Sequence, residues 1–224
     1  MKSDFINNIN HELKTPLATI TIANKSFQNK KIRQNEMKAL QTTAIIERQT
    51  KRLQHLIEQV LELTQEQQTT SLKLEKVGLN SFLQTLVADF PKKDKTIDIE
   101  TDFSAENDIV AIDKFHFTTA IFNLLDNAVK YNENEVSIRV ATKNLKDKLL
   151  IEISDNGIGM DKQTQKHIFD KFYRGQKGNI YHHKGLGLGL FYVKKSIEAH
   201  GGKIELSSKI GKGSSFSIHL NKTI

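Results

Sequence analysis

Residues 6–27 read INNINHELKTPLATITIANKSF, and the spacing of their apolar side chains decides the architecture of the N-terminal part of the chain. Ile6, Ile9, Leu13, Pro16, Ile20, Ala23 and Phe27 follow one another at steps of 3, 4, 3, 4, 3 and 4, the seam of a helix that packs on a partner. A second seam runs through Leu53, Leu56, Val60 and Leu63, and residues 28–35 between the two are short and polar, as in a connection between antiparallel helices. The pattern predicts a helical hairpin over residues 1–68. Two such helices bury little against each other, so it also predicts dimerisation into a four-helix bundle.

Past residue 71 the period changes, and short alternating or apolar runs are separated by Gly, Asp and Asn. LKLEKV, TIDIETDF, DIVAID, VSIRVAT, KLLIEIS, GKIELSS and SSFSIHL read as strands. LNSFLQTLVADF, KFHFTTAIFNLLDNAVKY and GLFYVKKSIEAH read as amphipathic helices, the last stopped by Gly201 and Gly202. The expected fold is α+β and multidomain: the hairpin, a linker over 69–79, and a two-layer α/β sandwich over 80–224 with a mainly antiparallel sheet.

Composition bounds the function classes. The 224 residues are 38% apolar and 26% charged, which argues against a disordered or membrane-spanning chain. No apolar run approaches the roughly 20 residues a spanning helix needs. The chain has no Cys, hence no disulfide, thiolate metal site or Cys nucleophile, and a reducing cytoplasm is the simplest compartment. The net charge of +7 is spread along the chain without a basic block, so nucleic acid is not an expected partner.

Four clusters carry chemistry. His11 lies two residues from Ile9 and two from Leu13, which points its imidazole away from the seam; Glu12 can fix its tautomer, Thr15 stands one turn on, and Pro16 loosens the helix behind it. On the helix over 114–131, Asn123, Asn127 and Lys130 share a face, with Tyr131 next to it; amide oxygens suit Mg²⁺ and a lysine suits a phosphate. The carboxylate of Asp155, at a strand end, can accept from an exocyclic amine such as adenine N6, while Gly157 and Gly159 let the backbone turn against a flat ring. Gly185, Gly187 and Gly189 open a helix and offer free N–H groups to an anion. Between the last two clusters, Phe169 and Phe172 read as buried anchors of a segment from which Lys171 and Arg174 reach a terminal phosphate. Each cluster also has a plain reading: an incidental proline, a surface stripe of Asn and Lys, an ordinary turn, a glycine repeat, a short helix with both phenylalanines in the core.

Together, HELKTPL, NLLDNAVKY, DNGIGM, FDKFYRG and GLGLGL resemble, in order and spacing, the H, N, G1, F and G2 boxes of the sensor histidine kinases of two-component systems. The likeness covers nearly the whole chain. It implies a homodimeric phosphotransfer hairpin followed by an ATP-binding domain of the Bergerat (GHKL) fold, with ATP and Mg²⁺ as cofactors and a response regulator as partner. By this resemblance His11 is the phosphoacceptor, Glu12 the base beside it, and Thr15 the residue that positions water when the regulator is dephosphorylated. Asn127 would bind Mg²⁺ with Asn123 nearby, and Lys130 and Tyr131 would touch phosphates or ribose. Asp155 would read adenine, with Gly157 and Gly159 shaping its pocket. Phe172 would line the nucleotide site, Lys171 and Arg174 would face the γ-phosphate, and Gly185, Gly187 and Gly189 would flank the phosphates. Lys171 stands where many relatives carry Arg, which keeps the charge but loses the bidentate fork.

The resemblance further implies a cytoplasmic fragment of a larger, membrane-tethered receptor, and a hinge near residues 69–79 that lets the two domains meet. The alternative is an ATPase of the same nucleotide fold that forms no phosphohistidine and uses a helix carboxylate to activate water; Asp126 is the nearest one.

Overall fold

The computed structural model describes residues 2–64, 72–91, 96–132, 135–173 and 187–222, and within the helical hairpin it leaves some side chains undescribed, among them those of Ile6, His11, Glu12, Val60 and Leu63. The chain divides into two compact units.

The first unit is the helical hairpin. α1 spans Lys2–Gln28 and runs unbroken through Pro16, so the expected loosening behind His11 does not interrupt it. α3 spans Glu36–Thr64 and packs along α1. The polar connection holds one further turn of helix, α2 (Lys30–Arg33), whose N-cap Asn29 accepts a hydrogen bond from the Lys31 N–H at 2.9 Å. Asn35 does the same for α3, accepting from the Lys38 N–H at 3.0 Å. Pro16 and Ala23 of the first seam are buried, and Ile9, Leu13, Ile20 and Phe27 are half-buried, as are Leu53 and Leu56 of the second. Leu17, Ile22, Met37, Leu40 and Ile57 remain exposed.

The second unit is the expected two-layer sandwich. Its strands are β1 (Glu75–Gly78), β2 (Ile97–Phe103), β3 (Ile109–Ile112), β4 (Val136–Asn144), β5 (Lys148–Asp155), β6 (Lys203–Lys209) and β7 (Gly213–Asn221). Five of them form a sheet in the order β2-β4-β5-β7-β6, with β2 parallel to β4 and the remaining pairs antiparallel. β1 and β3 make a separate antiparallel pair. Alternation buries Val136, Ile138 and Val140 on one face of β4 and leaves Ser137 and Arg139 on the other.

Three helices, α4 (Leu79–Asp89), α5 (Lys114–Lys130) and α7 (Gly189–Ala199), cover the buried face and share one core with it. Asp113 caps α5, its Oδ1 accepting from the N–H groups of Phe115 and His116 at 3.1 Å each. α7 ends as read from Gly201–Gly202: Gly201 takes φ +70°, and the Gly202 N–H returns to the Ile197 carbonyl at 2.9 Å. A short helix, α6 (Lys162–His167), was not resolved by the periodicity, because its six residues KQTQKH carry no apolar side chain.

One boundary needs correcting. The expected linker of 69–79 runs too far, because Glu75–Gly78 pairs with β3 in register Glu75↔Ile112 and Leu79 is fully buried at the start of α4. Those residues belong to the second unit.

Candidate functional site

The polar edge of α5 follows from the periodicity that builds the core. Phe117, Ala120, Ile121, Leu124, Leu125 and Ala128 face inward, which leaves Asn123, Asn127 and Lys130 half-buried at the rim. The Asn123 Nδ2 donates to the Thr119 carbonyl at 3.0 Å. Its Oδ1 faces the start of α7, where a β-carbon on Gly189 would lie 2.8 Å from it. Among the described residues the Asn127 side chain has no hydrogen-bond partner in the protein. Lys130 holds its Nζ 5.1 Å from the centre of the Tyr131 ring.

The segment carrying Asp155 lies against the C-terminal end of α5. The Ile158 N–H donates to the Tyr131 carbonyl at 3.0 Å, and a β-carbon on Gly157 would sit 2.6 Å from that carbonyl oxygen. Glycine is required there by close approach. Gly159, at φ +66°, is required twice over, since a side chain would also collide with the Lys209 carbonyl. The Asp155 Oδ1 accepts from the N–H groups of Gly157 at 2.8 Å and Ser214 at 3.3 Å. Burial pushes the Asp155 carboxyl above its ordinary range, and those two N–H groups work against the shift.

The F and G2 segments meet through the backbone. The Phe172 N–H donates to the Gly187 carbonyl at 3.1 Å, and Gly187 at φ +70° leaves no room for a β-carbon against Phe172. Phe169 packs on the core and meets the Phe216 ring edge-on at 6.4 Å. Phe172 does not share that fate: it is 42% exposed at φ 66°, because its backbone turns to reach Gly187, so the expected pair of buried anchors is a single one. Lys171 places its Nζ 5.2 Å from the centre of the Phe191 ring on α7. Arg174 and Gly185 lie outside the described residues.

The structure thus brings Gly189 against Asn123 and the Asp155–Gly157 loop against Tyr131, along the α5 rim that carries Asn127 and Lys130, and it pairs Phe172 with Gly187, two residues before Gly189. In the hairpin, His11 and Glu12 are in α1; Thr15 is exposed and its carbonyl accepts from the Thr19 hydroxyl at 3.0 Å.

Residues that the motifs leave out hold this arrangement. The Asn156 Oδ1 accepts from the Ser137 N–H at 2.9 Å and from the Asn132 amide, and its Nδ2 donates to the Glu135 carbonyl at 3.0 Å, which ties the loop to the start of β4. Gln165 and Ser208 brace the loop from the side of α6 and β6. A lone Gln in a helix and a Ser in a strand give no sequence signal for such a contact.

Residues 112–224 match the family model of the histidine kinase-, DNA gyrase B- and HSP90-like ATPases, and residues 1–69 match that of the His Kinase A (phospho-acceptor) domain. The chain belongs to that family of histidine kinase-, DNA gyrase B- and HSP90-like ATPases. It is similar to the sensor protein RprX of Bacteroides fragilis, at 39% identity over 98% of this chain and 43% of that protein. The fold is like that of full-length ShkA in complex with AMPPNP (TM-score 0.68, 18% identity, 99% of this chain and 46% of that one). It is also like ThkA in complex with the response regulator protein TrrA (TM-score 0.62, 21% identity, 98% and 61%). The chain spans less than half the length of the curated relatives it matches. Among the described residues no helix is long and apolar enough to cross a membrane.

Proposed function

We propose that this chain is the kinase part of a two-component sensor: it binds MgATP in the second unit, transfers the γ-phosphoryl group to His11, and passes it to an aspartate of a response regulator. The observation that carries the reading is the convergence on α5 of three differently built elements. These are the Asn127 amide, without a protein partner among the described residues; the Asp155 loop against Tyr131; and Gly189 against Asn123. The likeness to ShkA, whose structure holds AMPPNP, supports the nucleotide, and the likeness to ThkA bound to TrrA supports the regulator.

In this reading Asp155 uses Oδ1 to hold its own loop and offers the carboxylate to the exocyclic amine of the base. Gly187 and Gly189 let the backbone approach the phosphates, and the start of α7 contributes N–H groups and the positive end of its dipole. Lys130 adds a point charge. The donors suit Mg²⁺: Asn123 and Asn127 present neutral amide oxygens one turn apart, and the described residues hold no cluster of three His or carboxylate groups that would keep a metal alone. Asn127, with Asn123 beside it, would hold the ion, which arrives with the nucleotide and supplies charge neutralisation at the phosphates.

On α1, Glu12 holds the His11 tautomer that leaves one ring nitrogen free to attack. A P–N bond forms at His11 as the P–O bond to ADP breaks, and the residues' contribution is mostly positioning and charge. Lys171 and Arg174 supply positive charge for the γ-phosphate, and Thr15 positions water for the regulator's dephosphorylation. The hinge expected near residues 69–79 lies ahead of the pairing of β1 with β3.

The chain dimerises through the hairpin, where Leu17, Ile22, Met37, Leu40 and Ile57 supply apolar surface. The full-length protein carries its membrane tether and sensor outside these residues. Against an ATPase that makes no phosphohistidine stands the match of residues 1–69 to a phospho-acceptor domain.

The test is incubation with γ-labelled ATP. Label should remain on the protein, survive alkali, vanish in acid and be absent from His11→Gln. Label released only as free phosphate would favour the ATPase instead.

A further inference from the structure

The Asp155 loop is braced by a chain of hydrogen bonds that begins in α6 and ends on the carboxylate itself. Gln165 spends both N–H groups of its amide: Nε2 donates to the Met160 carbonyl at 2.8 Å and to the Ser208 carbonyl at 2.9 Å. The Ser208 hydroxyl is equally saturated. It accepts from the Met160 N–H at 2.8 Å, donates to the Gly213 carbonyl at 2.9 Å, and meets the Ser214 hydroxyl at 3.1 Å. Ser214 then donates its N–H to the Asp155 Oδ1.

Backbone contacts press the same two segments together. The Gly211 N–H donates to the Ile158 carbonyl at 2.8 Å. Gly213, at φ +87°, lies so close to the Asp155 carbonyl that any β-carbon there would overlap it. The turn between β6 and β7 and the loop after β5 therefore form one bracket, and Gln165 and Ser208 are the side chains that close it.

We propose that Gln165 and Ser208 are positioning residues that set base selectivity, by holding the Asp155 carboxylate where it rewards a 6-aminopurine and rejects a 6-oxopurine. The inference rests on the reading of Asp155 given above. A fixed carboxylate accepts from a 6-amino group and opposes the lone pairs of a 6-oxo group, and each unmatched polar contact costs binding only while the carboxylate cannot retreat. With the bracket open, Asp155 turns away from a mismatched base and the penalty fades. The phosphate contacts, made around Asn123, Asn127 and Gly189, are common to both nucleotides and stay as they are.

The experiment titrates the full chain with ATP and with inosine triphosphate, each with Mg²⁺, by calorimetry. Gln165→Met keeps the length of the side chain and loses both donors; Ser208→Ala loses the hydroxyl; Ser208→Thr keeps it. Gln165→Met and Ser208→Ala should each lower the ATP-to-inosine-triphosphate affinity ratio about tenfold, as the reward for the 6-amino group and the penalty on the 6-oxo group both fade, and Ser208→Thr should retain the wild-type ratio. Equal weakening of both nucleotides would mean a structural role alone and would overturn the inference, as would loss of the ratio in Ser208→Thr. Should Ser208→Ala fail to fold, Gln165→Met, at a half-buried site outside the core, carries the test. Asp155→Asn separates the two levels. If it abolishes the ratio while the Gln165 and Ser208 variants keep it, the bracket is wrong and the reading of Asp155 stands; if it leaves the ratio intact, both fall.

Discussion

The two units solve the burial problem in opposite ways. In the hairpin only Pro16 and Ala23 are buried among the described residues, while Leu17 is 56% and Leu40 64% exposed. In the second unit Phe117, Ile121, Leu125, Ile138 and Ile151 are fully buried in one continuous core of three helices and a five-stranded sheet. The difference teaches that the second unit closes its core within one chain, whereas the hairpin leaves apolar side chains exposed. Most helical stability comes from such packing, so an unpaired hairpin has little of its own.

The contrast breaks most readily at the core. Phe117→Ala should lower the stability of the second unit by roughly 3–5 kcal/mol and leave the hairpin's unfolding transition where it was, read by denaturing the full chain with probes in each unit. If both transitions move together, the units are not independent. At the hairpin, the midpoint should rise with protein concentration, and Leu17→Asp combined with Leu40→Asp should remove that dependence, at about 1.5–3 kcal/mol for each leucine burial lost. A wild-type midpoint indifferent to concentration contradicts dimerisation through this face.

A finer probe is Thr142, almost fully buried in β4, whose hydroxyl donates to the Asn80 Oδ1 at 2.7 Å and links the sheet to α4. Thr142→Val should cost the second unit about 1–2 kcal/mol by leaving that oxygen unpaired, and an unchanged urea midpoint would show the link to be idle.

The smallest effect is in pH. Burial holds the His200 imidazole below its ordinary pKa; its Nδ1 faces the Ser196 carbonyl at 2.6 Å and its Nε2 the Asp113 N–H at 2.9 Å. The unfolded chain therefore takes up the proton first, and stability falls as pH drops through the usual histidine range near about 6.5. Asp113 acts in the same direction at lower pH: burial works to raise its pKa, but N–H groups of His116, Lys73 and Phe115 and the charge of His116 hold it down. Asp155, held up by burial, contributes with the opposite sign. Between pH 7.5 and 5.5 the urea midpoint of the second unit should decline, and the decline should be shallower in His200→Asn; an equal slope would place the titration elsewhere.

Much of this was legible in the sequence. All seven strands follow from alternation or apolar runs, and α4, α5 and α7 from helical spacing, because each element presents one face to a shared core. The rim of α5 was legible for the same reason. What the periodicity could not show depends on contacts distant in sequence. The parallel pairing of β2 with β4 is decided by topology, and the bond from Gln165 to Ser208 spans 43 positions with no motif at either end. Phe172 looked like its neighbour Phe169, and only the turn that pairs it with Gly187 separates an exposed aromatic from a buried one. LKLEKV reads as a strand yet falls within the expected linker, and pairing of β1 with β3 decides between the two.

The resting place of the phosphoryl group separates a histidine kinase from an ATPase. Peptide mapping by mass spectrometry, with the full chain quenched at neutral to alkaline pH after incubation with MgATP, should find one modification, on the peptide that contains His11. A modification on another residue, or none while calorimetry shows the nucleotide bound, would contradict it.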